Sequence, residues 1–147
     1  MADDFPTLIG KVMHHCGALE FLANGAIKAL STDELLFDEI VKASFGKRIE
    51  VLLSLLRGRA NLPERSGEDL CDRLSKIAQF RNQIAHNPVM SDKPSGTVVE
   101  KIIVVRHKAG RSTVKREIQR DDLRAMVTFT RETLEMFVKL LPASTSV

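Results

Sequence analysis

The sequence predicts a mainly α-helical protein, a four-helix up-and-down bundle with a β-hairpin inserted between helices three and four. Three observations lead there. Apolar residues recur in steps of three and four over four long segments. The connections between those segments are short, which favours antiparallel neighbours. One stretch ahead of the last segment is instead β-branched and has no helical period. The 147 residues fit a single domain over 1–147, long enough to bury roughly two-thirds of its unfolded surface.

The first helix runs from about Pro6 to Leu30, with Ile9, Val12, Cys16, Leu19, Ala23, Ala26 and Leu30 on one face. Ser31, Thr32 and Asp33 form a helix-start cluster. A second helix follows, its stripe Val41, Phe45, Ile49, Leu52 and Leu56, with Gly46 read as a point of close helix contact. Arg57 to Pro63 reads as a loop. The third helix begins near Ser66 and buries Leu70, Leu74 and Ile77. Asn87-Pro88 ends it, because proline disfavours helical geometry in the residue before it. Ser91 to Gly96 is a turn-rich connection. A hairpin spans about 97–118: Thr97-Val98-Val99 and Ile102 to Val105 as one strand, Lys108 to Arg111 as its turn, Thr113 to Ile118 as the return. Asp121 or Asp122 then caps a fourth helix carrying Leu123, Val127, Thr130, Leu134, Phe137 and Leu141, and 143–147 is a frayed tail.

Composition excludes several classes. There is no Trp or Tyr, which argues against a base-stacking surface of the kind single-strand-binding barrels use. A net charge of +3 is compatible with an anionic partner without demanding one. Cys16 and Cys71 sit in separate helical patterns without metal-ligand spacing, and read as buried thiols in a reducing compartment. The opening Met-Ala-Asp-Asp lacks the basic start of a signal peptide, and no apolar run approaches the roughly 20 residues of a membrane-spanning helix. A cytoplasmic protein with no membrane partner is expected.

The chemistry concentrates at Arg81-Asn82-Gln83-Ile84-Ala85-His86. Arg81 stands where the stripe of the third helix calls for an apolar side chain. A buried guanidinium without a partner is costly, so it either forms a structural ion pair or faces an anion. His86 lies five residues on, about 140° around an ideal helix, whereas Asn82 and His86 share a face. Arg81 and His86 meet if the ring swings over at the broken helix end, or if two copies of this end face each other across a two-fold axis. A permanent cation suits a phosphate oxygen and a pentavalent phosphorane, and an imidazole can move protons near neutral pH. No metal ligands cluster here, so no metal and no cofactor are expected.

Arg-Asn-Xaa-Xaa-Xaa-His at the end of the third helix of a small bundle resembles the HEPN superfamily. That family's signature is an arginine, usually followed by a polar residue, with a histidine after four to six intervening residues. Arg81, Asn82 and His86 match with four intervening, and the helical pattern over about 5–141 fits the family's fold. The resemblance implies a metal-independent endoribonuclease that works as a homodimer, often in toxin–antitoxin, phage-defence or RNA-processing systems. It further implies attack of a ribose 2′-OH on the adjacent phosphate, leaving a 2′,3′-cyclic phosphate. His86 would transfer protons, Arg81 would stabilise the phosphorane, and Asn82 would orient one or both. Other members are non-catalytic modules that bind a nucleotide or a partner protein such as a nucleotidyltransferase; an antitoxin is another partner of the family's toxins. The hairpin departs from the simplest family pattern.

Glu20 is the first choice for a third site residue, either paired with Arg81 or on the solvent side of a wide stripe. His14-His15-Cys16 looks like a metal triplet, but adjacent helical residues point about 100° apart and do not converge on one ion. From Lys101 to Arg120 there are seven Lys or Arg against Glu117 alone. Lys101, Arg106, Lys108, Arg111, Lys115 and Arg116 are candidate RNA-binding residues, or else cations that keep a sheet edge from aggregating. His107, near the turn, is expected to be exposed and without a role.

Overall fold

A computed structural model describes residues 2–57, 59, 62–93 and 96–141. Its elements are α1 (Phe5–Leu30), α2 (Glu34–Ile40), α3 (Phe45–Leu56), α4 (Ser66–His86), β1 (Val89–Asp92), β2 (Val99–Lys108), β3 (Arg111–Ile118) and α5 (Arg120–Leu140). The fold is mainly helical with one small antiparallel sheet of strand order β1-β2-β3. The expected tail at 143–147 and part of the loop after Arg57 lie outside the described residues. Among the described residues, no helix is long and apolar enough to cross a membrane.

Asp4 starts α1 by accepting a hydrogen bond from the Thr7 amide at 2.8 Å. The helix buries Phe5, Leu8, Val12, Cys16, Leu19, Ala23 and Ile27, while Ile9, Ala26 and Leu30 of the expected stripe lie at its half-buried margin. The buried row is therefore the expected one, turned slightly about the helix axis.

The second expected helix is two helices, so the described residues hold five rather than four. Asp33 caps α2 through the amides of Leu35 and Leu36, and that helix ends at Ile40. Ser44 then opens α3, its hydroxyl accepting from the Lys47 amide at 3.2 Å. A serine that can cap offers the backbone an alternative to continuing the helix. Steps of four from Val41 to Phe45 run straight across that break, so periodicity alone does not register it. Val41 is left exposed, and Ile49, Leu52 and Leu56 reach the core. Gly46 marks no close contact, since a Cβ there would meet only the Ser44 hydroxyl at 4.0 Å. The close approach is at Gly67, where a Cβ would sit 3.0 Å from that of Leu56.

α1 packs against α3, α4 and α5, and α4 packs in turn against α3 and α5. Leu70, Leu74 and Ile77 of α4 are buried as expected, joined by Cys71, Phe80 and Ile84. Gln119 precedes α5, and Asp122 closes the start of that helix by accepting from the Gln119 amide at 2.8 Å. Asp122 is thus the reciprocal partner of a cap rather than the cap itself. Leu123, Thr130 and Phe137 of the expected α5 stripe are buried, and Thr133 joins them.

The sheet is larger than the hairpin read from sequence. Part of the expected turn at Ser91–Gly96 is strand β1, with Val89 opposite Ile102 and Asp92 opposite Val99. All four β1 side chains are exposed, so it carries no apolar alternation and becomes a strand only because the edge of β2 is there to pair with. β2 starts at Val99, two residues later than expected. The turn at Ala109-Gly110 has φ of 52° and 75°, the left-handed pair that a two-residue hairpin loop uses. Ile102, Val104 and Ile118 are buried with the helical core.

One side chain joins helix to sheet. Asn87 donates from Nδ2 to the Gln83 carbonyl at 2.8 Å and accepts at Oδ1 from the Val105 amide at 2.9 Å. Because Ile103 N–H already donates to the Pro88 carbonyl, Asn87 serves the next donor along the same edge of β2. Its side chain extends the β1–β2 ladder by one rung. Replacing Asn87 with Ala should cost about 1–3 kcal/mol, the range for leaving part-buried backbone groups unpaired. Urea unfolding measures that loss, and the Val105 amide should exchange hydrogen faster. An unchanged midpoint would show that the joint is dispensable.

Candidate nucleic-acid site

α4 carries the Arg81 motif to the surface. Phe80, one position before it, takes the buried place in the stripe, and Arg81 sits half-buried at the margin. This corrects the expectation that Arg81 itself fills a core position: a helix of 3.6 residues per turn lets residue 80 or 81 follow Ile77, and the apolar one turned inward. The Arg81 charge acts to lower the pKa of the Cys16 thiol on α1, against the larger effect of burial. The only side-chain hydrogen bond of Arg81 among the described residues is a long one, 3.4 Å from Nη1 to Asn82 Oδ1. No carboxylate pairs with it among the described residues, so the structural ion pair weighed from sequence is not formed there.

Arg73, two turns earlier, shows what a structural arginine looks like in this fold. Its guanidinium lies 3.9 Å from the Phe129 ring centroid, donates to the Thr133 hydroxyl at 2.8 Å and to the Phe129 carbonyl at 3.2 Å, and reaches Glu132. Arg81 has none of these.

Arg81 and Asn82 line a cleft of about 580 Å³ between α1, the start of α3, and α4, together with Glu20, Arg48, Ser75 and Gln79. Glu20 thus does join Arg81 in one cleft, yet its ion pair is with Arg48, at 3.8 Å, and its side chain is only 28% exposed. Neither of the two sequence readings for Glu20, pairing with Arg81 or lying in solvent, describes it. Arg48 is the residue that sequence reading passed over. It donates to Asn24 at 2.8 Å and lies over the Phe45 ring, while its Nε is buried with no hydrogen-bond partner. Its one sequence signal was position: Arg48 immediately precedes the buried Ile49.

His86 is the last residue of α4 and is exposed. It does not line the Arg81 cleft. An ideal helix separates the two residues by about 7.5 Å of rise and about 140° of rotation, and the helix stays regular to its end, so the ring does not swing across within one chain.

Of the six basic sheet residues, three face α4. Arg106 and Lys115 line a second cleft of about 490 Å³ with Gln79, Asn82, Gln83 and Asn87. Lys101 is paired with Glu117 at 3.1 Å, and Arg116 lies over the ring of Phe80. Lys108 and Arg111 flank the hairpin turn as cross-strand partners. His107 is exposed, its Nδ1 2.7 Å from the Ser112 hydroxyl.

The His14-His15-Cys16 triplet diverges as helical geometry requires: His14 is exposed, His15 half-buried and Cys16 buried. No group of three or more His, Cys, Asp or Glu that could hold a metal occurs among the described residues. His15 Nδ1 lies 2.7 Å from the Thr130 hydroxyl of α5. Burial holds its pKa below the ordinary 6.5, helped by the charges of His14, Arg131 and Lys11. Burial also pushes both thiols up, to about 11 for Cys16 and about 11 for Cys71.

Comparison with known proteins gives no matching family model, no similar curated protein and no similar solved structure.

Two outcomes follow from these shifts. At about pH 8.5, where an ordinary cysteine is half ionised, neither thiol of the folded protein should react with Ellman's reagent, and both should react in guanidinium. His15, favoured as the neutral ring, binds a proton more readily when the chain is unfolded. Its contribution to stability is therefore full above pH 6.5 and is lost as the pH falls below that value. Denaturant midpoints measured across that window should decline more steeply for the wild type than for a His15→Gln variant.

Proposed function

We propose that this protein is a metal-independent endoribonuclease of the HEPN type, whose site is completed by two copies of the chain meeting at the ends of α4. The observation that carries the proposal is the half-buried Arg81 guanidinium, without a carboxylate partner among the described residues and lining a cleft beside Asn82. A cation in that state attracts an anion, and its planar fork matches phosphate oxygens. Exposed His86 supplies proton transfer from the neighbouring face, and a two-fold axis at the helix end would bring the imidazole of one copy toward the Arg81 of the other.

In the proposed reaction the ribose 2′-oxygen attacks the adjacent phosphorus and gives up its proton to a His86 imidazole. The bond from phosphorus to the 5′-oxygen breaks, and that oxygen takes up a proton. The products are a 2′,3′-cyclic phosphate and a 5′-hydroxyl. Arg81 holds the extra charge of the phosphorane, and Asn82, which touches Arg81, keeps its fork in place. DNA, lacking the internal nucleophile, is not cut. Packing of α1, α3, α4 and α5 in a closed ring supports reading the helices as a four-helix bundle with α2 as a short appendage. A cytoplasmic toxin or phage-defence component fits such an activity, with an antitoxin or a nucleotidyltransferase as its partner.

A second reading has an observation of its own. His86 stands outside the Arg81 cleft within one chain, as it would in a non-catalytic module of the same fold that binds a nucleotide or a protein. Incubation with single-stranded RNA in EDTA separates the two. Cleavage should persist under chelation, yield 2′,3′-cyclic ends, and fall by roughly a hundredfold or more in Arg81→Ala and in His86→Ala, the lower bound for losing a proton-transfer group. RNA left intact by the wild type across a panel that includes tRNA would sink the nuclease and leave the binding module. A monomer at working concentration that still cleaves would refute the shared site.

A further inference from the structure

The two clefts are one surface. Gln79 and Asn82, both exposed on α4, line the Arg81 cleft and the sheet cleft alike, so the second opens beside the first across a single helix. Each holds a polar atom that is buried and unpartnered, Arg48 Nε in the first and Gln83 Oε1 in the second. The arginine nitrogen needs an acceptor and the amide oxygen needs a donor.

The sheet side of the second cleft is shaped by an irregularity. Val104 pairs with Arg116, but the next residue, Val105, pairs with Val114. Lys115 is the extra residue of a β-bulge, unmatched across the ladder, and bulges re-aim side chains. The slip falls at Val105, whose amide Asn87 holds from the other edge. Thus the joint that docks the sheet on α4 lies beside the bulge that carries Lys115. Neither Lys115 nor Arg106 has an acid within 4.0 Å among the described residues, whereas Lys101 is neutralised by Glu117.

We propose that the sheet cleft is a second phosphate subsite, and that a single strand of RNA crosses α4 at Gln79 and Asn82 with one phosphate at Arg81 and another at Arg106 and Lys115. Between them, a 2′-hydroxyl or a base amino group donates to Gln83. Specificity for the strand comes from α4 amides rather than aromatic stacking. The inference rests on the RNA reading of the Arg81 cleft, whose strand it extends.

Fluorescence anisotropy with a short labelled single-stranded RNA tests it, using His86→Ala protein so that the probe stays whole. Adding Arg106→Ala and Lys115→Ala should reduce the slope of log affinity against log salt by about 0.7, the value for one phosphate contact of a single strand. Adding Lys108→Ala and Arg111→Ala instead should change it less, since those side chains face neither cleft. A slope unmoved by the Arg106 and Lys115 changes, or moved equally by both pairs, would overturn the subsite. Cleavage distinguishes the two proposals. With His86 restored, the Arg106→Ala/Lys115→Ala enzyme should show a raised KM and an unchanged kcat. A wild type that never cleaves, yet loses slope in the doubly substituted protein, retains the subsite while the nuclease reading fails. Full cleavage with an unmoved slope and KM does the reverse.

Discussion

The arrangement of this molecule turns on how the end of α4 is finished. A helix that stops leaves its last carbonyls unpaired, and a sheet edge leaves a row of amides open. Asn87 answers both at once, giving its amide protons to the Gln83 carbonyl and its oxygen to the Val105 amide. Neither bond is large alone, of order 1 kcal/mol net. Their value is directional. They fix the angle at which a basic three-stranded sheet leans on the helix bearing Arg81, Asn82 and His86. Ile102, Val104 and Ile118 then supply the apolar contact that holds the sheet down.

Three half-buried arginines divide the labour of charge in this fold. Arg73 is spent on structure, stacked on Phe129 and bonded to Thr133, which is itself buried. Arg48 is partly spent, since Asn24 and Glu20 hold its terminal nitrogens while Nε is left over. Among the described residues, Arg81 is committed to no acid. Burial raises the cost of an uncompensated charge, and a guanidinium kept at the margin of a cleft, half in water, carries that cost only in part. Glu20, turned toward Arg48, tempers the positive field of the cleft without quenching Arg81.

Much of this was legible along the chain. The ends of α4, the buried stripe of α1, the hairpin turn and the two inert thiols followed from periodicity, from Pro88 and from the Gly110 turn. The break at Val41–Ser44 did not, because the apolar rhythm continues through it and only a serine hydroxyl interrupts the backbone. β1 was invisible for a different reason: four exposed residues have no pattern to read. Within the candidate site, Arg81, Asn82 and Glu20 were picked out and do line one cleft. Arg48 was overlooked because its neighbours come from α1 and α4, far away in sequence. The six basic residues of the sheet looked alike on paper, and their contacts separate them into paired, stacked, tip and cleft-facing groups.

The sequence by itself determined the helical character of α1, α3, α4 and α5, where Pro88 stops α4, and that a fixed cation, an amide and an imidazole fall within one helical turn and a half. Those are local properties, set by side-chain period and backbone sterics over a few residues. Tertiary structure alone decided that Arg81 is left without an acid among the described residues, that His86 stands clear of its cleft, and that Lys115 rather than Lys101 faces α4. Such outcomes depend on which distant groups arrive alongside, and a charge finds its partner through space rather than along the chain.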